Sequence, residues 1–362
     1  MATVGIFSCS QYDPIKIKET LAAGLENFGG IEAFIRPQDK VLIKPNLLAA
    51  AAPEEVVCTH PAMLEGVILL LKDACSEIWV GDSPGFGSTQ AVAGAAGLVE
   101  VCEKTGVQLV SLNSPVRIPC PGGKTAREFK VADWVVKADK IVNLPKLKLH
   151  NLMTFTGAVK NMMGCLPGTA KGRMHVKHPG KTQFAHMLLD VYSCTKPALN
   201  IMDGIIAMEG EGPRSGKPKE VGLLLVSVDG IALDAVACKV IGLEPMSVPT
   251  IRLGHGRKLG QGNIRKIETV GVPLSSARVR DFDLGTGGRF KFFVNLLGRE
   301  KKNFPEINRE KCTACAICVE ACPLKRISIE EGVASVDYSG CIACLCCQEL
   351  CPNTAINLKK QS

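Results

Sequence analysis

The chain has 362 residues, 46% of them hydrophobic, and carries a formal charge of +8. That length can bury a full core and divides into two or three domains, and its longest apolar runs, such as "GVILLL" at 66–71, fall far short of the roughly 20 residues a membrane helix needs. The charge is spread along the chain with no Lys/Arg block, and aromatic residues are only 5%, so nucleic acid is not an expected partner and the positive excess points to small anions.

The opening "MATVGIFSCS" has neither a basic stretch nor a long apolar core with a cleavage site, so it reads as a first strand and not a signal peptide. With no membrane span, the expected location is the cytoplasm. Short apolar, β-branched runs recur at 3–9, 40–48, 77–83, 107–112, 139–147, 198–205 and 221–230. Helical patterns lie between several of them. Ile17, Leu21, Leu25 and Phe28 share one face ahead of Gly29 and Gly30, and further helices are expected at 61–74 and, as one piece, at 88–106. Alternating strands and helices predict an α/β domain over residues 1–300, built on a mainly parallel, doubly wound sheet. Ligands of such sheets sit beyond the carboxyl ends of the strands. The polar stretches "KPN" (44–46), "GDSPG" (81–85), "LPKLKLH" (144–150) and "DGIIAMEGEGPRSG" (203–216) all fall at such ends.

On a helical wheel, "FTGAVKNMMG" places Phe155, Ala158, Val159, Met162 and Met163 on one arc and Thr156, Gly157, Lys160, Asn161 and Gly164 on the other. A solvated face would avoid two glycines, each costing about 0.5–1 kcal/mol against alanine, so close approach of a ligand to the backbone is expected there. Packing against another helix is the plainer alternative. In "QFAHMLLDVY", His186 and Asp190 stand four residues apart, as a proton-transfer pair or an ordinary surface pair. "MHVKHPGK" brings His175 and His178 into what reads as a basic loop. "GEGPRSG" has neither dinucleotide-fold nor P-loop spacing, so a nucleotide site is not supported, though Glu209 and Glu211 could supply an acid near Asp203. Residues 246–304 carry no usable pattern and read as the end of the α/β domain plus a connector.

Cysteine is the strongest signal. Nine of the 17 lie between Cys312 and Cys351; the other eight are scattered singly and read as small buried hydrophobes. The dense region holds two copies of C-x2-C-x2-C-x3-C-P: Cys312, Cys315, Cys318 and Cys322 before Pro323, then Cys341, Cys344, Cys347 and Cys351 before Pro352. This run resembles that of bacterial two-cluster ferredoxins, in which three thiolates on a tight loop wrap one iron–sulfur cube while the fourth cysteine serves the other cube. The resemblance implies Cys312, Cys315, Cys318 and Cys351 around one [4Fe–4S] cluster and Cys341, Cys344, Cys347 and Cys322 around the second, in an α+β domain over 301–362. Zinc is the alternative occupant, but zinc sites rarely use three cysteines in seven residues followed by proline, twice over. Cys346 is out of register and is spare. Ala316 and Leu345 stand where many such ferredoxins have glycine, and residues 327–340 read as a hairpin turning at Gly332.

Together "LPKLKLHNLMTFTGAVKNMMG", "DGIIAMEGEGPRSGKP" and "SVDGIALDAVACKVIG", followed by the double-cluster tail, resemble the domain-of-unknown-function 362 family of iron–sulfur proteins. The resemblance implies a cluster-binding redox protein of bacteria and archaea, often anaerobes. At positions matching its motifs stand Lys146, Lys148, His150, Thr156, Gly157, Lys160, Asn161, Gly164, Asp203, Gly204, Glu209, Gly210, Gly212, Pro213, Gly216 and Asp234.

Three functions compete. A reductase would pass low-potential electrons through the clusters to a small carboxylate or phosphate substrate, or to a bound flavin, although no flavin motif is legible. Its expected catalytic groups are His150, Lys160, Asp203 and Glu209; its expected binding groups are Lys44, Asn46, Lys146, Lys148, Thr156, Gly157, Asn161 and Gly212. An electron-transfer adaptor would do no chemistry of its own. A nucleic-acid-processing or sensory protein would use the clusters structurally. The first two require a redox partner protein, such as a ferredoxin, flavodoxin or reductase.

Overall fold

The computed structural model describes residues 1–168, 170–285 and 303–360. The strands, in chain order, are β1 (Ala2–Ser8), β2 (Lys40–Lys44), β3 (Glu77–Asp82), β4 (Gln108–Ser111), β5 (Pro115–Pro119), β6 (Glu128–Ala132), β7 (Lys140–Asn143), β8 (Lys146–His150), β9 (Thr154–Thr156), β10 (Leu199–Glu209), β11 (Lys217–Ser227) and β12 (Ile267–Gly271), then β13 (Asn303–Ile307), β14 (Ile327–Glu330), β15 (Val333–Val336) and β16 (Ile356–Lys360) in the tail.

Ten strands form one sheet in the order β12-β1-β11-β10-β7-β2-β3-β4, with β8 paired to β10 and β9 to β8. Along that path only β11 runs against its neighbours. The expected mainly parallel sheet is present. Its strands are apolar on both sides because both faces are covered. Val41, Ile43, Ile78 and Val80 join a core with the helices Pro14–Leu25 and Pro61–Lys72, while Leu42 and Trp79, pointing the opposite way, join a second core with the helices Lys181–Thr195 and Gly230–Val240.

Three local expectations need correction, and one is filled in. The 88–106 helix is two, Thr89–Ala95 and Leu98–Thr105, because Gly97 between them takes a left-handed conformation (φ 71°). Phe155 and Thr156 belong to β9, and the helix that follows is only Ala158–Asn161 before a tighter turn at Met162–Cys165. Its start is fixed by the buried Asp234, whose carboxylate accepts from the backbone N–H of Ala158 and Val159 (2.6 and 3.2 Å). The basic segment around His175 is a helix, Ala170–Lys177, rather than a loop. Within 246–304, residues 267–271 supply edge strand β12, parallel to β1; residues 286–302 lie outside the described residues.

The tail pairs β13 with β16 and forms the expected β14–β15 hairpin, turning through Glu331 and Gly332, both at positive φ. Its two short helices are Ile317–Ala321 and Cys346–Leu350. Among the described helices none is long and apolar enough to cross a membrane.

Candidate functional site

A cleft of about 120 Å³ lies between the carboxyl ends of the sheet strands and the tail. One wall is Asn46, Lys146, Lys148, Thr156, Gly157, Lys160 and Asn161; the facing wall is Ala321, Cys346, Glu349 and Leu350. Seven of the residues expected at the site therefore line one cavity.

The lysines at its edge are buried in different ways. Lys44, at the end of β2, is fully buried and ion-paired with Asp82 at the end of β3 (2.8 Å), just behind the wall. Lys146 is ion-paired with Asp203 (2.8 Å) and also donates to the Tyr12 hydroxyl (2.6 Å), which itself donates to Asp203 (2.9 Å). These charges are compensated. Lys148 donates only to the Val57 carbonyl (2.7 Å), and burial, reinforced by Lys160 and Lys146, lowers its ammonium to about 7. Lys171 donates to Ser83 Oγ (2.6 Å) and the Leu166 carbonyl, and burial lowers it to about 8.

An amide ladder crosses the floor of the cleft. Asn46 Nδ2 donates to Asn161 Oδ1 (3.1 Å), Asn161 Nδ2 to Asn143 Oδ1 (2.8 Å), and Asn143 Nδ2 to Asn200 Oδ1 (2.8 Å). It fixes Asn161 and leaves Asn46 Oδ1 buried without a partner among the described residues.

Opposite, Glu349 Oε1 stands 3.2 Å from His150 Nε2, and the contact lacks hydrogen-bond geometry, leaving both atoms without such a bond among the described residues. His150 Nδ1 accepts from Leu152 N (3.1 Å), which places the ring proton on Nε2. Burial holds His150 and His175 down to about 4, so both are neutral at pH 7. Burial acts to raise Glu349, but the nearby His150 Nε2–H dipole and the Lys160 charge outweigh it and hold the carboxyl below its ordinary range.

Several expected residues lie elsewhere. Asp203 is sealed behind Lys146, where it positions the ammonium instead of facing a ligand. Glu209 is outside the cleft wall and accepts from Asp283 N (2.8 Å). Gly212 backs onto the Leu149 carbonyl with no room for a Cβ. His186 does not engage Asp190, which is fully buried and instead accepts from Arg257, Lys124 N and Thr125. The glycines of the 155–164 arc admit the protein's own acids: a Cβ on Gly157 would strike Asp234, and one on Gly164 would strike the Lys44–Asp82 pair. Ser83, Lys171, Cys346 and Glu349 were not singled out as site residues. Ser83 sits in the strand-end stretch already noted, whereas Glu349 lies inside a cysteine motif that explains itself without it.

In the tail, Cys312, Cys315, Cys318 and Cys351 line one cavity, and Cys322, Cys341, Cys344 and Cys347 line another. Among the described residues no three His, Cys, Asp or Glu stand close enough together to hold a single metal ion. Backbone N–H groups point at two sulfurs of each set, from Ala334 to Cys312 (3.4 Å) and Ala355 to Cys351 (3.3 Å), and from Arg326 to Cys322 (3.2 Å) and Ala343 to Cys341 (3.4 Å). Such donors stabilise cluster-bound thiolates, so the residues fit cubane clusters. Ala314, Ala316, Ala343 and Leu345 all have positive φ, so the non-glycine residues keep the left-handed loop conformation. Cys346 is outside both sets and borders the cleft.

Residues 41–239, more than half of the chain, match the family described as domain of unknown function (DUF362), and residues 304–352 match the 4Fe-4S dicluster domain. The chain belongs to the first family and its tail is an iron–sulfur domain. A thylakoid-associated protein of Synechocystis sp. is 35% identical over 257 residues, covering 69% of this chain and 77% of the relative. Among solved structures, the lactate racemase apoprotein of Thermoanaerobacterium thermosaccharolyticum aligns with TM-score 0.43 and 13% identity, over 64% of this chain and 55% of that one. A Thermotoga maritima protein aligns with TM-score 0.36 and 12% identity, over 59% and 56%.

Proposed function

We propose that this member of the DUF362 family is an iron–sulfur oxidoreductase that passes electrons from two tail clusters to a small anionic substrate in the lysine-walled cleft. The observation that carries it is the facing wall: Ala321 adjoins Cys322, and Cys346, Glu349 and Leu350 are interleaved with Cys344, Cys347 and Cys351. The cleft thus lies against residues that flank Cys322, Cys344 and Cys347 of one set and Cys351 of the other, while Cys315 is exposed, where a redox partner protein can reach it.

The clusters, when bound, supply single low-potential electrons. The remaining work falls to the chain's own residues. Lys146, paired with Asp203 and Tyr12, shapes the back of the site; Asn161 and Thr156 orient; Lys160 neutralises charge that builds on the substrate. Lys148, which burial lowers to about 7, gives up one of the two protons that a two-electron reduction of a double bond requires, the second coming from water, taking over the part expected of Asp203 and Glu209. At roughly 10–15 Å³ per water position, a cleft of about 120 Å³ holds some 8–12 such positions. That room suits a small metabolite better than a flavin. A cytoplasmic setting fits the eight scattered thiols, all unpaired and seven of them buried.

The test is anaerobic. Protein carrying about eight irons is reduced with dithionite and offered small oxidised or unsaturated anions, and prompt spectral reoxidation is the expected result. Reoxidation by protein partners alone would make the chain an adaptor, and redox-silent clusters with tight nucleic-acid binding would make it neither.

A further inference from the structure

Three lysines on the cleft wall, Lys148, Lys160 and Lys171, have no carboxylate within ion-pair distance among the described residues, and one wall carboxylate, Glu349, has only the neutral His150. The cleft wall is therefore left with two more unpaired lysines than unpaired carboxylates. They are anchored on different segments: Lys148 donates to the Val57 carbonyl, whereas Lys171 donates to Ser83 Oγ and the Leu166 carbonyl. Ser83 Oγ accepts from Lys171 and from Gly168 N, which leaves its own proton free to donate to a ligand.

Resting on the reading of this cleft as the substrate site, we infer that its ligand is a two-ended dianion, a short dicarboxylate of up to roughly ten non-hydrogen atoms. One carboxylate meets Lys148 and Lys160; the other meets Lys171 and Ser83. A monoanion leaves one end unpaired in a buried site, which costs affinity. A compact dianion such as phosphate satisfies only one end.

Full-length, cluster-loaded protein is titrated calorimetrically under nitrogen with succinate, butyrate and inorganic phosphate. Succinate is expected to bind at least tenfold tighter than either of the others, and Lys148→Met and Lys171→Met each to reduce succinate to the butyrate level. Lys160→Gln, at a partly exposed position, provides the same test where a buried substitution fails to fold, with folding judged by circular dichroism and iron content. Equal binding of succinate and butyrate, or phosphate matching succinate, overturns the inference. So does absence of binding accompanied by a shift of cluster midpoint potential in the lysine variants, which would mean that these charges balance the clusters instead. Succinate preference without reoxidation by any dicarboxylate would leave the inference standing and remove the proposed reaction.

Discussion

Asp203→Asn separates a positioning role from a catalytic one. Asp203 and Lys146 are 0% and 1% exposed, 2.8 Å apart, and the same carboxylate accepts from Tyr12. Removing one partner of a buried pair strands the other, which costs about 3–5 kcal/mol, whereas an exposed pair costs less than about 1 kcal/mol. The amide retains shape and accepts from Tyr12, so the expected loss is near 3 kcal/mol, read from urea unfolding under anaerobic conditions at pH 7.5. Lys146 then has no charge to hold its ammonium against burial, and anion binding falls with stability. In the double variant Lys146→Met/Asp203→Leu, most of the stability returns while binding stays lost, because the buried charge has gone with its partner. A single-variant loss below about 1 kcal/mol, or a double variant no more stable than Asp203→Asn, would refute the reasoning.

Gly164→Ala should cost about 1–3 kcal/mol because its Cβ would strike the buried Lys44–Asp82 pair, whereas Gly94→Ala, whose nearest neighbour is Val99 at 3.8 Å, should gain about 0.5 kcal/mol; thermal unfolding in the reverse order would contradict this. His150 and His175 sit below their ordinary 6.5, at about 4, so the folded chain binds fewer protons than the unfolded one. Their contribution is complete above pH 6.5 and is lost as pH falls through 4; at pH 5.5 each costs about 1.4 kcal/mol, and His175→Gln should remove about that much of the decline measured by urea melts between pH 7.5 and 5.5. Cys346→Ala should retain about eight irons and Cys344→Ser should not, since only Cys344 borders a four-cysteine cavity; equal iron loss would place Cys346 among the ligands.

Where the sequence speaks through local periodicity it is easily read, as in β8. "KLKLH" alternates polar and apolar residues, a pattern that normally means one face to the core and one to water. Leu147 and Leu149 do enter the core, but Lys146, Lys148 and His150 on the opposite face are buried too. The face is visible in the sequence; its cover is not, because the cover arrives some 200 residues later as Glu349 and its neighbours. The same limit explains the glycines at 157 and 164. At both the sequence suggests a ligand approaching the backbone, whereas what approaches is Asp234 and the Lys44–Asp82 pair, and no local window contains those acids. The two cysteine cavities follow the division that the ferredoxin resemblance implies, with Cys322 and Cys351 exchanged between the repeats.

The cover also links the two halves of the site energetically. Desolvation is the largest influence on Lys148, His150 and His175, and Glu349 from the helix between two cluster cysteines acts on all three. In the proposed reaction, the element that would bring electrons to the cleft is therefore also one that helps to bury Lys148 and sets how firmly it holds a proton. Any displacement of the tail rehydrates Lys148 and returns it toward an ordinary lysine, which holds its proton too tightly to serve as an acid near neutrality. Electron supply and proton supply then fail together, since an undocked tail can neither reduce a ligand nor leave Lys148 poised to protonate one.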